Sequence, residues 1–335
     1  MSQREEILGL LSGMKIDRTP AFSGLIHITA EGLQSEELVL HEVHKDAQKM
    51  VRAAASTFKL TGLPSAVAPL DMYVEAEALG GVVDFVRNRE LVFPQIAKPL
   101  FASTKYLNRD YFESTDFINK GRIPLVGEAI QLLKEDIGRE AVIGGMIPGP
   151  YTLLLFLMEP GGLFAEMKRE PTSVAEALFQ LASFLAQVGI AYRNAGADFI
   201  TIHDMGGSPG FIGPAKYEQF AYPAEKLLIT ELPSPRVLSI CGNTNKSMQL
   251  LAQTGADAIA VDQLNNLVES RKTLTNTLLF GNIDPVATLW QGDEAQITEA
   301  VQSTKEAGVD AVWPGCDLVL QSPLENIRAL LQSAA

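Results

Sequence analysis

Near-copies of one phrase recur in the second half of the chain: Ala195-Gly196-Ala197-Asp198, Thr254-Gly255-Ala256-Asp257 and Ala307-Gly308-Val309-Asp310. Each follows a helical pattern and introduces a short apolar run. The glycine suits a helix end with positive φ, and the residues after the aspartate then enter a buried strand. The runs are Asp198–Asp204, Arg236–Gly242, Ala258–Asp262, Thr277–Asp284 and Asp310–Asp317. Strands alternating with helices of about 10–15 residues predict right-handed βαβ units and a parallel sheet.

The first half offers three more strand candidates, Pro20–Leu25, Ser65–Asp71 and Ala141–Gly149. Together these make the eight strands of a (β/α)8 TIM barrel. Composition stays even and no linker interrupts it, so residues 1–335 read as a single α/β domain. An N-terminal helical extension, Arg4–Leu11, precedes the first strand. Residues 32–61 read as largely helical, and 88–119 as a long irregular insertion of the kind that serves as a lid. A doubly wound open sheet is the alternative, but no GxGxxG fingerprint follows a strand.

Composition then removes whole classes of function. With 27 Lys+Arg against 40 Asp+Glu the net charge is −13, so no basic excess exists to displace counterions from nucleic acid. At 47% hydrophobic and 20% charged residues the chain is too apolar to be disordered. The longest unbroken apolar stretch, Leu153–Met158, falls far short of the roughly 20 residues of a membrane span. The start, Met-Ser-Gln-Arg-Glu-Glu, carries acids where a signal peptide carries basic and then apolar residues. These features predict a cytoplasmic enzyme. Its two cysteines, Cys241 and Cys316, cannot build a disulfide framework.

In a barrel the chemistry sits at the carboxyl ends of the strands. That rule selects Asp71, Pro148–Tyr151, His203, Asp204, Ser239, Cys241, Asp262, Asn282, Asp284 and Cys316. Two thiolates at a barrel mouth suit zinc, which binds sulfur at about 2.3 Å and takes four ligands. No CxxC pair completes a structural set, so a position would remain open, as in catalytic sites. Burial as small hydrophobes is the alternative for the two cysteines. His203 is the natural third ligand, and Asp204 either orients it or binds substrate. His27 is a second candidate. His41 and His44 sit in a polar stretch and read as solvated.

Asp71 and Glu75 share a face if their segment is helical, and repelling carboxylates could hold a raised pKa for proton transfer. Acids favoured at a helix N-terminus explain them equally. Gly144–Thr152 and Asn282–Pro285 are turns that could present N–H groups to a ligand or could simply be tight turns. The catalytic candidates are therefore Asp71, Glu75 and Asp204. Tyr151, Asn243 and Asn282 are the candidates for cofactor contact.

The phrases GADFITIHDMGG, TGADAIAVDQ, LLFGNIDPV and PGCDLVLQSPLENI occur in order with barrel spacing. Through them the chain resembles the uroporphyrinogen decarboxylase superfamily over nearly its whole length. It is similar to the corrinoid-dependent branch of the methylcobamide:coenzyme M methyltransferase type. That branch has a His-x-Cys motif and a late Pro-Gly-Cys turn, which correspond to Ser239-Ile240-Cys241 and Pro314-Gly315-Cys316. Val74–Gly80 is also similar. The decarboxylases' N-terminal arginine motif is replaced by Thr19–Ile26 without arginine, their late Gly-His-Gly by Gly315-Cys316-Asp317, and their tyrosine by Phe156.

The resemblance implies one Zn²⁺ per chain, held by Cys241, Cys316 and a histidine. It implies a methylcorrinoid donor on a partner corrinoid protein, and a small thiol as acceptor. Because Ser239 stands at the family's histidine position, His203 is expected to replace it. A tetrapyrrole decarboxylase and a non-catalytic corrinoid-binding or tetrapyrrole-binding barrel are the rival expectations.

Overall fold

In the computed structural model, which describes residues 1–87, 89 and 91–335, a parallel sheet forms the centre. Its strands are β1 (Ser65–Ala68), β4 (Val142–Pro148), β5 (Phe199–His203), β6 (Arg236–Ile240), β7 (Ala258–Val261), β8 (Leu278–Ile283) and β9 (Ala311–Pro314). They pair in the order β1-β4-β5-β6-β7-β8-β9. A short antiparallel ribbon, β2 (Val83–Asp84) with β3 (Gln95–Ile96), lies outside this sheet. The sheet therefore has seven strands where eight are expected from sequence. The predicted first strand, Pro20–Leu25, makes only an isolated parallel bridge, Ala21 to Val312 of β9. Its other flank meets β1 through side chains: Ser23 N–H donates to Ser65 Oγ at 3.0 Å, and a ring nitrogen of His27 lies 3.0 Å from the Ser65 carbonyl. Pro20, which has no N–H, and Gly24 leave this stretch unable to sustain a ladder.

The repeated phrase has a physical job at the amino end of the sheet. Gly196, Gly255 and Gly308 all have positive φ, at +116°, +85° and +87°. The aspartate that follows each exchanges two hydrogen bonds with one residue of a neighbouring strand. Asp198 N–H donates to the Ile143 carbonyl while its carboxylate accepts from Ile143 N–H. Asp257 does the same with Arg236, and Asp310 with Leu279. Each carboxylate is also paired with a cation: Arg4 and Lys134, Arg236, and Arg271 respectively. Strand register is thus pinned at one end, and the carboxyl ends are left free for chemistry.

The interior is packed. Phe22, Phe199, Phe280 and Trp313 are fully buried and meet at centroid distances of 5.1–6.5 Å. Gly24 lies against this cluster, where a side chain would collide with Thr201, Phe199 and Trp313. A filled interior keeps any ligand site out of the centre of the sheet's curl. The helix Gln3–Leu11 precedes the sheet, and the stretch expected to be helical over 32–61 is covered by the helices Ala30–Ser35, Leu40–Val43 and Ala47–Thr61. The expected insertion over 88–119 holds β3, the short helix Arg109–Glu113 and two 3-10 turns; Asn88 and Glu90 lie outside the described residues. One helix, Pro171–Asn194, is long and apolar enough to cross a membrane by composition. Its buried face includes Val174, Leu178, Leu181 and Leu185, and it packs on β4 and the helix Tyr222–Glu231.

Candidate active site

His203, the last residue of β5, is in register with Pro148 of β4 and with Ser239 of β6. Cys241 lies just past β6, and Cys316 two residues past β9. The turn between Pro314 and Asp317 folds over the end of β7, where Gly315 permits an approach that no side chain would. A Cβ there would stand 2.9 Å from Asp262 Cα. This close approach carries Cys316 to Cys241. The two Sγ atoms touch as a bonded pair, with Cα atoms 6.1 Å apart. His203 Nε2 lies 4.0 Å from Cys241 Sγ and 3.9 Å from Cys316 Sγ. The three ligand atoms all fall within 4.8 Å of one another. Tetrahedral zinc at its usual bond lengths spaces a nitrogen and a sulfur about 3.6 Å apart.

The donor chemistry fits zinc: one imidazole nitrogen and two sulfurs, from a fully buried histidine and two half-buried cysteines. Nδ1 of His203 has no hydrogen-bond partner among the described residues, so Nε2 is the atom aimed at the sulfurs. The sulfurs cannot be a disulfide and two zinc ligands at once. Their Cα separation lies in the disulfide range, and the reduced pair would offer the same side chains to an ion. Sequence reasoning missed Asp317, whose Oδ2 is 3.9 Å from His203 Nε2 and whose Oδ1 accepts from Ile26 N–H. The signal was its place directly after Cys316.

Asp204 is fully buried beneath the loop that follows β5. Its Oδ1 accepts from Thr152 N–H at 2.9 Å, Thr152 hydroxyl at 2.6 Å and Gly207 N–H at 3.1 Å. Burial raises its pKa in spite of those bonds. Gly149 is required here as well, because any Cβ would overlap the Asp204 carboxyl. Asp262 accepts from Gly242 N–H, Leu264 N–H and the Asn265 amide, which fixes the turn that carries Cys241.

A cavity of about 540 Å³ opens beside these residues, with Cys241 in its wall. Asn243 lines it, with Oδ1 turned to accept from Asn245. The other sequence candidates are not brought to it. Asn282 uses its amide on the Asp262 and Asn265 carbonyls. Tyr151 is buried, donates to Met167 sulfur, and has its pKa raised by burial. His27 is buried between the Leu25 and Ser65 carbonyls, and burial lowers its pKa.

Asp71 and Glu75 form a separate buried cluster. The helix starts at Val74, after Asp71, so the expected shared helical face does not exist. Arg122 donates to Asp71 through Nη1 at 2.6 Å and Nη2 at 3.1 Å, and to Glu77 through Nε at 2.5 Å. His44, expected in solvent, is fully buried, with Nδ1 2.9 Å from Asp71 Oδ2. The polar stretch around His44 turns inward and sets the imidazole beside the buried Asp71 carboxyl. Burial alone would raise Asp71; the Arg122 charge and then His44 overcome it and hold the carboxyl well below its usual range. For Glu75 burial wins, with the Asp71 charge adding to it, and its pKa is pushed up to about 8. Arg122 had no sequence signal, because it precedes a helix far from Asp71 in the chain.

Comparison with known proteins shows which sequences and structures the chain is similar to. Methylcobamide:CoM methyltransferase MtbA of Methanosarcina acetivorans is 29% identical over 99% of this chain and 97% of its own length. Methylcobamide:CoM methyltransferase MtaA of Methanosarcina barkeri is 29% identical over 98% and 96%. A uroporphyrinogen decarboxylase of Trichodesmium erythraeum is 27% identical over 63% of each chain. Among solved structures, a methyltransferase from Methanosarcina mazei superposes with a TM-score of 0.92 at 25% identity, covering 100% of this chain and 98% of that one. The sequence profile described as uroporphyrinogen decarboxylase (URO-D) matches residues 2–335, and the chain belongs to that family.

Proposed function

We propose that this chain is a zinc-dependent methyltransferase that moves a methyl group from a methylated corrinoid, carried by a partner protein, to a small thiol. The observation that carries the reading is the meeting of His203 Nε2 with Cys241 and Cys316 at the wall of a cavity. Near full-length similarity to methylcobamide:CoM methyltransferases supports the reaction class. His203, Cys241 and Cys316 would hold the ion. A bound Zn²⁺ would lower the pKa of an incoming thiol, which is mostly protonated at neutral pH with a reference value of about 8.5.

In the transfer itself, a lone pair of the acceptor sulfur attacks the methyl carbon and forms an S–C bond. The Co–C bond breaks heterolytically, its electron pair stays on cobalt as Co(I), and the thiol proton passes to solvent. The chain's own part is positioning and exclusion of water. Asp204 holds Thr152 in the cavity wall and Gly207 in the loop after β5, and Asp262 holds the turn bearing Cys241. Asn243 is the neutral polar group proposed to meet the corrinoid or acceptor. The exposed Met205, Phe211 and Leu264 rim the same opening and suit a docking corrinoid protein. In this reading Pro20–Leu25 stands as the eighth position of a (β/α)8 barrel, supported by the Ala21 bridge and the Ser23–Ser65 bond. Gln3–Leu11 is then an N-terminal extension. The proposed location is the cytoplasm, where both thiols stay reduced.

Metal analysis of the reduced protein tests the assignment: one zinc per chain is expected, and His203→Ala should lose most of it. Full zinc content in His203→Ala would remove His203 from the site. Transfer is read by the loss of methylcobalamin absorbance in the presence of thiols.

A further inference from the structure

Resting on the methyl-transfer reading, the cavity beside Cys241 makes a demand on the acceptor that the named relatives do not foretell. Its apolar wall is Leu155, Phe156, Met205, Phe211 and Leu264, and among the described residues no arginine or lysine lines it. The three glycine N–H groups along the wall are already committed. Gly206 N–H is given to Thr152 hydroxyl, Gly210 N–H to Ser208 hydroxyl, and Gly242 N–H to Asp262. The charged groups nearest the sulfurs are carboxylates, Asp262 bonded to the Cys241 turn and Asp317 next to Cys316. An anionic headgroup there would lose its water and meet no cation among the lining residues. The neutral polar groups left in the wall are the Ser208 hydroxyl and the Asn243 amide.

We infer that the acceptor is an uncharged thiol with an apolar body, and not a sulfonate-bearing thiol. A cavity of about 540 Å³ has room for such a molecule together with the donor's reactive face.

The test isolates charge from size. Zinc-loaded protein and methylcobalamin are given 2-mercaptoethanesulfonate, its neutral isostere 2-(methylsulfonyl)ethanethiol, or 1-butanethiol. The two uncharged thiols should exceed the sulfonate at least tenfold in kcat/KM, with the difference carried mainly by KM. Equal or better use of the sulfonate overturns the inference and leaves the methyl-transfer reading standing. The methyl thioethers of the same three thiols are titrated against the protein by ligand-observed NMR, which needs no turnover. Should no thiol be methylated, the functional reading falls and this titration alone decides the ligand class: preference for the neutral thioethers upholds it, and preference for the sulfonate overturns it. Leu264→Lys supplies the missing cation at a position 59% exposed, where folding is not at stake. It should narrow the preference several-fold in both measurements, and an unchanged ratio counts against a charge-selective cavity.

Discussion

Replacing Glu75 by glutamine probes the buried charge cluster with a sign and a size fixed in advance. Glu75 is fully buried; one carboxyl oxygen is 3.5 Å from the Tyr192 hydroxyl, and the other has no partner among the described residues. Its folded pKa of about 8 stands against an ordinary value of 4.5. Below pH 4.5 the folded and unfolded chains both carry the proton, and pH has no leverage. Between 4.5 and about 8 the unfolded chain releases a proton that the folded chain keeps, so stability falls as pH rises. Above about 8 both are ionised and the slope vanishes. The limiting slope is about 1.4 kcal/mol per pH unit. From pH 5.5 to 7.5, Glu75→Gln should therefore gain roughly 2–3 kcal/mol relative to the parent protein. Urea unfolding of both proteins at pH 5.5, 6.5 and 7.5 measures this. The difference between the two curves cancels every other titrating group. A difference constant to within about 0.5 kcal/mol over that window would show that Glu75 is ionised in the folded protein, and the argument would fail.

The remaining predictions concern the same cluster and the site. Arg122→Met leaves Asp71 buried without its main countercharge and should destabilise by about 3–5 kcal/mol in urea, most of it returned by adding Asp71→Asn. Asp204→Ala strands the donors of Thr152 and Gly207 and should lower the unfolding free energy by roughly 2–4 kcal/mol, seen by the same assay. Ser239→His placed in the His203→Ala protein should restore about one zinc per chain by metal analysis. Failure to restore it would mean that the end of β6 cannot supply the missing nitrogen.

Much of this was legible because periodic signals are local. The Gly-x-Asp phrases announced parallel strands, and the strands they announced are β5, β7 and β9. The bidentate grip of Asp198, Asp257 and Asp310 on the neighbouring strand was not legible, since it depends on which strand lies alongside. The same limit explains the first stretch. Pro20–Leu25 has the apolarity of a strand, yet only Ala21 finds a bridge, while Ser23 and His27 finish the contact with side chains. Arg122, His44 and Asp71 are brought together by the packing of three separate segments, and no spacing encodes that.

The proposed metal-ligand set turns on a point of sheet geometry. Parallel strands end at a common level, so residues in register at their carboxyl ends offer side chains to the same space. His203 and Ser239 are such a pair, on adjacent strands β5 and β6. A nitrogen ligand lost from the position two residues before Cys241 can therefore be supplied from the neighbouring strand without moving either cysteine. In the proposed site the ligand order along the chain would change, while the donor set of one nitrogen and two sulfurs would not. A sequence motif records only the order, which is why Ser239 reads as a defect in the motif although the three donors still meet within 4.8 Å.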